Sequence, residues 1–236
     1  MRTNVILSWS SGKDCAWALH VLRQRSDVTV AGLVTTVNEA FGRVAMHGVR
    51  IALARRQAEA AGLSLDELAL PWPCPNETYE RIMADYVARK AAEGVGAFAF
   101  GDLFLEDIRH YREEKLAAAG MKALFPLWGL DTKALARDMI AAGLDAHIVC
   151  LDPRKLSSDF AGRRFDRSLL TDLPAGIDPC GENGEFHTFA CAGPMFVRPI
   201  AVQRGEAVER DGFVFCDLVP TETEREVVSA ASRVAR

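Results

Sequence analysis

The sequence predicts an α/β protein in which a doubly wound parallel sheet carries a small C-terminal α+β unit. Three observations predict it. Short apolar runs rich in Val, Ile, Leu and Phe alternate with amphipathic stretches through the first two thirds of the chain, the pattern of parallel strands covered by helices. A strand-like run ending at Ser8 passes through a turn of small residues into a helix-like pattern. From about Asp152 the rhythm changes, with frequent Gly and Pro and strand-like runs separated by turns. At 236 residues the chain suits one large domain with an appendage, divided as 1–155 and 156–236.

The elements follow in order. Asn4 to Ser8 reads as the first strand, and Cys15 to Leu22 as a helix whose Trp17, Val21 and Leu22 share a face. Further strands are expected at Val28 to Thr35, Ser64 to Leu70, Ala97 to Gly101 and Ala146 to Leu151. In Asn76 to Glu93, Tyr79, Ile82, Met83, Tyr86 and Val87 recur at helical spacing and lie on one face. Leu105 to Ala118 and Thr132 to Ala142 read as helices, each followed by a glycine stop, Gly120 or Gly143. Phe186 to Cys191 is strand-like, and Val208 to Leu218 contains an Asp211-Gly212 turn. The residues from Thr221 on are polar and Ala-rich, a short helix or a frayed end.

Composition excludes several classes. With 49% hydrophobic and 25% charged residues the chain is neither disordered nor fibrous. A net charge of -4 gives no broad attraction to phosphate backbones or anionic lipid, so nucleic acid is not the default partner. No apolar run approaches the roughly 20 residues that span a bilayer, and Val5 to Trp9 is too short for a signal peptide. A cytoplasmic location is expected. Six cysteines without a CxxC pair read as free thiols.

The first candidate site is Trp9-Ser10-Ser11-Gly12-Lys13-Asp14 between strand and helix. Unpaired N–H groups at a helix start, with the dipole behind them, make an anion site. Small residues let the backbone approach a phosphate, the Ser8, Ser10 and Ser11 hydroxyls can donate, and Lys13 supplies a mobile cation. Any strand-to-helix turn also favours Ser, Gly and Asp as caps, which is the competing reading. The stretch is not a Walker A loop, because the first Gly is missing and Asp14 stands where Ser or Thr would bind magnesium. A carboxylate there makes sense if it orients Mg²⁺ carried in by ATP.

The second is Asp178 to Phe189, which packs acids, an amide and a His into a turn before a strand. Asn183-Gly184 is a hairpin-type pair, and on a strand from Glu185 the side chains of Glu185 and His187 share one face, those of Phe186 and Thr188 the other. A carboxylate beside an imidazole can move protons or bind a substrate amine or carboxylate; a polar hairpin tip with a surface His is the alternative. A zinc site from Cys180, His187 and Cys191 lacks a paired spacing and a fourth donor. Gly101-Asp102 follows a strand and so lies at the carboxyl edge of the sheet, where Asp102, Glu106 and Arg109 can face one crevice. Glu106 and Arg109 can equally be a solvated i, i+3 pair. His47 is either a pocket residue near the phosphates or an exposed His at a helix start.

At Ser10 to Cys15 the chain resembles the PP-loop (N-type) ATP pyrophosphatases, whose motif is Ser-Gly-Gly-x-Asp-Ser; here Ser11 replaces one Gly and Cys15 the final Ser. Gly181-Glu182-Asn183-Gly184-Glu185-Phe186-His187-Thr188 resembles the motif of one branch, the diphthine-ammonia ligase family. Met46-His47-Gly48, Gly101 to Arg109, Phe125-Pro126-Leu127-Trp128 and Asp178-Pro179-Cys180 agree with that branch, so the resemblance spans nearly the whole chain. It implies a Rossmann-like fold of the adenine nucleotide alpha hydrolase superfamily. It also implies ATP with Mg²⁺, and an AMP-forming reaction in which a carboxylate takes AMP from ATP, releases pyrophosphate, and is converted to an amide by ammonia. By the same resemblance ATP lies against Ser8, Ser10, Ser11, Gly12, Lys13, Asp14, Leu33, Thr35, His47, Gly101 and Asp102, with Asp14 toward the metal. Lys13, Glu182, Glu185 and His187 act in catalysis, and Glu106, Arg109 and Asn183 meet the acceptor. The family's named substrate is diphthine, a modified histidine of an elongation factor, whereas this sequence looks closer to bacterial relatives, whose acceptor is open. A nucleotide sensor without turnover and a tRNA-modifying PP-loop enzyme are the other classes, the latter wanting a basic face and cysteine pairs. An oligomer is left open.

Overall fold

Parallel strands need crossovers long enough to hold a helix, and the first half of the chain supplies them. The computed structural model describes residues 2–221. In it β1 (Thr3–Ser8) is followed by α1 (Lys13–Gln24), β2 (Val28–Asn38), a short β3 (Arg43–Val44), α2 (Ile51–Ala61) and β4 (Leu65–Leu70). Next come α3 (Asn76–Ala92), β5 (Ala97–Ala99), α4 (Glu106–Ala117) and β6 (Lys122–Leu124). The parallel strands lie in the order β4-β2-β1-β5-β6, and β3 adds an antiparallel step at the far end of β2.

β1 is central, and its side chains alternate between two cores. Val5 and Leu7 pack with α1, whereas Ile6 joins Val34, Tyr86, Phe98 and Phe100 on the α3/α4 side. The expected face of α3 is the one used: Tyr86 and Val87 are buried, with Ile82 and Met83 packed beside them. The chain leaves β1 toward β2 on one side and returns to β5 on the other, so the carboxyl ends of β1 and β5 flank the crevice at which open α/β sheets take ligands.

The rest forms a second sheet. After α5 (Thr132–Ala141), β7 (Asp145–Leu151), α6 (Arg167–Asp172), β8 (Phe186–Ala192), β9 (Val202–Arg210) and β10 (Phe213–Pro220) give the antiparallel order β8-β7-β10-β9. The run Ala146 to Leu151, expected among the parallel strands, is thus in the second sheet. An unbroken apolar run reports burial on both faces and says nothing about the direction of its neighbours. The Lys122–Leu124 strand is too short to show a period. Asn183-Gly184 is a turn, with Gly184 at φ 74°, but not of a hairpin, because the strand it feeds pairs back to β7. Asp211-Gly212 does join two paired strands, β9 and β10, with φ of 51° and 78°, as a type I′ turn requires. The expected C-terminal helix or frayed end lies, apart from Thr221 itself, outside the described residues.

The second sheet packs on the helix layer of the first. One core runs from Leu7 through Ala16 and Leu19 of α1 to Ile148, Phe186 and Ala190, and another joins Leu53 and Ala54 of α2 to Phe189 and Cys191. Each such Leu, Ile or Phe stabilises the contact by about 2 kcal/mol. Among the described residues no helix is long and apolar enough to cross a membrane, and none of the six cysteines is in a disulfide.

Candidate active site

β1 delivers the turn to the crevice. Ser8, Ser10 and Asp14 are partly open there, while Ser11, Gly12 and Lys13 are buried. Trp9 turns into the core, where its indole N–H donates to Gln57 Oε1 at 2.9 Å. Ser11, at the position of a family glycine, has φ 70°, a left-handed conformation costing a non-glycine residue about 1–2 kcal/mol. Its carbonyl accepts from both Gln57 Nε2 and Ala190 N at 3.0 Å, and Gln57 Nε2 also donates to Ala190 O at 2.7 Å. Gln57, 0% exposed on α2, thus ties the turn to β8. Sequence reasoning passed over it. The available signal was a polar residue on the apolar stripe, four and three positions after Leu53 and Ala54.

Lys13 corrects an expectation. It is not a mobile cation but a fixed one, 1% exposed. Its ammonium donates to Asp14 Oδ2 at 2.9 Å and to Cys180 O, and lies 5.4 Å from the centres of the Phe165 and Phe186 rings. Burial works against the ammonium, but Asp14, and beyond it Glu182, outweigh burial and hold the Lys13 pKa above its usual value. The Lys13 N–H, one of the orphan amides of the helix start, is taken by Thr188 Oγ1 at 3.0 Å and does not face the crevice. Cys15, where the family has Ser, donates its thiol to Gly12 O at 3.1 Å, and burial pushes its pKa to about 11. It is an internal brace, not a nucleophile.

His47 lies in the pocket. A Cβ on Gly12 would come within 2.8 Å of its Cε1, so glycine is required at that approach. Its Nδ1 is 3.0 Å from Thr188 O, and because a carbonyl can only accept, Nδ1 carries the proton. The His47 and His187 rings stack with centroids 4.7 Å apart. Burial, then the charge of a protonated His187, holds His47 well below the ordinary range, and burial, then Lys13, lowers His187 to about 4. Both imidazoles are neutral at pH 7.

The loop before β8 is braced from within. Asp178 Oδ2 accepts from Cys180 N and Glu182 N at 3.1 and 3.0 Å. Glu185, 3% exposed, accepts from Asp178 N at 3.0 Å and Asn183 Nδ2 at 3.1 Å, and its Oε2 is buried without a partner. Glu185 therefore belongs to the loop, because β8 begins only at Phe186; the Asn183 side chain is spent on the same brace. Phe186 and Thr188 do share the face toward Lys13, as alternation requires. Glu182 reaches the other side of the crevice and accepts from Leu103 N at 2.7 Å. Burial first, with Asp14 and Asp102 adding, raises its pKa to about 7.

Across the crevice Gly101 abuts the start of α1, where a Cβ would lie 2.9 Å from Asp14 C and Cys15 N. Asp102, Glu106 and Arg109 do not converge. Asp102 pairs with Arg112 at 2.8 Å, Arg109 pairs with Glu113 at 2.8 Å and lies over the Phe125 and Trp128 rings, and Glu106 is exposed. The aromatic edge left by Phe125 and Trp128 draws the Arg109 guanidinium away. Leu33 is fully buried in the core and cannot present its side chain to a ligand, whereas Thr35, nearer the strand end, has a buried hydroxyl without a partner. Among the described residues no three His, Cys, Asp or Glu side chains group to hold a metal. In particular the Cys180 thiol donates to Thr132 O at 3.5 Å. A cavity of about 290 Å³ opens beside His187, between the Asn38–Gly48 segment and the β9–β10 hairpin.

Strand order and the turn at the switch point define the class: a Rossmann-like α/β domain on which an added antiparallel sheet closes over the turn after β1. The diphthamide synthase N-terminal domain matches residues 1–123 and the diphthamide synthase C-terminal domain residues 131–219. The chain belongs to the diphthamide synthase family. It is similar to the diphthine–ammonia ligases of Rattus norvegicus and Homo sapiens, each 28% identical over 153 residues, covering 62% of this chain and 57% of the relative. To that of Schizosaccharomyces pombe it is 30% identical over 103 residues, 42% of this chain and 17% of the relative. The chain thus spans little more than half the length of the mammalian relatives and far less of the fungal one.

Proposed function

We propose that the chain is an ATP-dependent, AMP-forming amide ligase that joins ammonia to a carboxylate. One observation carries the reading. The Ser8–Asp14 turn and the Cys180–Thr188 segment, each resembling a family motif, meet in one site through Lys13 N to Thr188 Oγ1, Lys13 Nζ to Cys180 O and His47 Nδ1 to Thr188 O. A turn serving only as a helix cap has no need of that closure.

In this reading the phosphates of ATP lie along Ser8, Ser10 and Gly101. A carboxylate oxygen of the acceptor bonds to the α-phosphorus as the bond to the β-phosphate oxygen breaks, releasing pyrophosphate. Ammonia then adds to the acyl carbon, AMP leaves, and one proton is lost from nitrogen. Glu182 takes that proton, a role supported by its pKa, which is raised to about 7. Lys13 acts as a fixed positive charge and as the clasp that keeps water out while the adenylate waits. Asp14 suits a magnesium ion arriving with the nucleotide, because its Oδ1 is buried without a hydrogen-bond partner; bound there, Mg²⁺ would neutralise phosphate charge. Glu185 and Asn183 shape the loop that carries Glu182. The relatives are named for diphthine; for this chain we take ammonia as the nitrogen donor and a carboxylate as the acceptor.

The test is to incubate the chain with Mg-ATP, ammonium and a panel of carboxylates and to separate the nucleotides. AMP and pyrophosphate formed in step with amide support the proposal. ADP and phosphate overturn it.

A further inference from the structure

None of the residues of the Ser8–Asp14 turn lines the cavity beside His187, and its walls come from both halves of the fold. The Asn38–Gly48 segment and Trp72 form one side and the β9–β10 hairpin the other, and Cys150 and His187 complete the lining. Of the ten large hydrophobic side chains exposed among the described residues, four line this one cavity: Phe41, Met46, Trp72 and Val208. Apolar side chains gathered at a concave mouth mark a ligand site, whereas scattered ones do not. Phe41 and Trp72 meet edge to face at 5.8 Å, and Phe213 and Phe215 stand among the walls.

His187 contributes a half-buried imidazole to the lining. The His187 ring nitrogens have no hydrogen-bond partner among the described residues, although the ring is largely buried against His47. The segment between cavity and turn is tightly placed: Met46 has φ 64°, and a Cβ on Gly48 would lie 2.7 Å from the Phe215 ring. His47 in turn touches the Gly12 approach. The charged lining balances, Arg43 being paired with Asp217 and Arg210 standing beside Asp211 in sequence and lying over the Phe41 ring.

We propose that this cavity is the acceptor site, and that it takes a carboxylic acid with an uncharged, ring-bearing body. The body lies between Phe41, Trp72, Phe213 and Phe215, and the carboxylate points inward to His187, one imidazole away from Gly12. A volume of about 290 Å³ holds a body of roughly one ring and a short chain. Balanced charge at the walls disfavours an acceptor with a second full charge, which would be stripped of water without a partner. The proposal rests on the ligase reading for the identity of the occupant, but the site can be tested apart from it.

The probes are 3-phenylpropanoate and propanoate, titrated calorimetrically into the full chain with and without α,β-methylene-ATP. The expected result is that 3-phenylpropanoate binds at least tenfold more tightly than propanoate. That preference should vanish in Trp72→Ala and fall severalfold in Phe41→Ala, both at exposed positions, while affinity for the nucleotide analogue stays within twofold. Equal affinity for the two acids, or a preference that survives both substitutions, overturns the acceptor site. Failure of the nucleotide analogue to bind, with the preference between the acids intact, overturns the ligase reading and leaves the cavity assignment standing.

Discussion

Replacing Glu182 by Gln should make the protein more stable in base and no more stable in acid. Glu182 is held with its pKa at about 7, against 4.5 for a free glutamate, chiefly by burial. Between those values the folded chain keeps a proton that the unfolded chain has released. Folding stability therefore falls as pH rises through that window, and the penalty is complete above pH 7. Gln keeps the oxygen that accepts the Leu103 N–H but has no charge to bury. At about 1.4 kcal/mol per pH unit the interval corresponds to about 3 kcal/mol, and solvent at the open edge of the side chain screens part of it, leaving roughly 1–3 kcal/mol. Urea unfolding followed by circular dichroism at pH 4.5, 6 and 8.5 measures the difference between Glu182→Gln and wild type. It should be near zero at the first pH and largest at the last. A gain that does not change with pH, or a loss at pH 8.5, refutes the account of a buried carboxylate.

Gln57→Leu leaves the Trp9 N–H and Ala190 O without their partner and should cost about 2–4 kcal/mol; adding Ser11→Gly, which relieves the left-handed backbone, should recover about 1 kcal/mol, as a double-mutant cycle in urea would read. Lys13→Met leaves Asp14 without its ammonium beneath the Cys180 loop and should cost about 3 kcal/mol, and the drop in melting temperature should shrink as pH is lowered, because burial raises the Asp14 pKa and the Lys13 charge that opposes the rise is gone. Asp131→Ala removes the side chain that accepts from Ala134 N at the start of α5 and should cost about 1 kcal/mol with nucleotide affinity unaltered, a control that separates stability from binding.

Most of the parallel sheet could be read from the sequence because its helices have clear faces and its strands are bounded by turns. The Tyr86–Val87 face of α3 and the Asp211-Gly212 hairpin are of this kind: each depends on residues close in sequence. What could not be read depends on distant partners. The direction of β7 is set by β8 and β10, and nothing in Ala146 to Leu151 encodes it. The same holds in the site. The turn after β1 and the segment before β8 could be singled out as motifs, but whether Lys13 projects into the crevice or under Cys180 is decided by a loop more than 160 residues away. Asp102, Glu106 and Arg109 were expected to face one crevice, yet Arg112, a turn after Arg109, holds Asp102, and Arg109 lies over aromatic rings from another part of the chain.

The hydrogen bond from Lys13 N to Thr188 Oγ1 joins residues 175 positions apart. During synthesis at about 5–20 residues per second, on the order of 10–40 s pass between the making of one and of the other. Through that interval the nascent first sheet can form, but the helix start waits for its hydroxyl, the Lys13 ammonium for its carbonyl, and Ser11 for the second donor to its strained carbonyl. The turn is thus completed only once residues some 175 positions downstream of it have been made, and a ribosome-bound chain short of β8 has the strands of the crevice without the clasp.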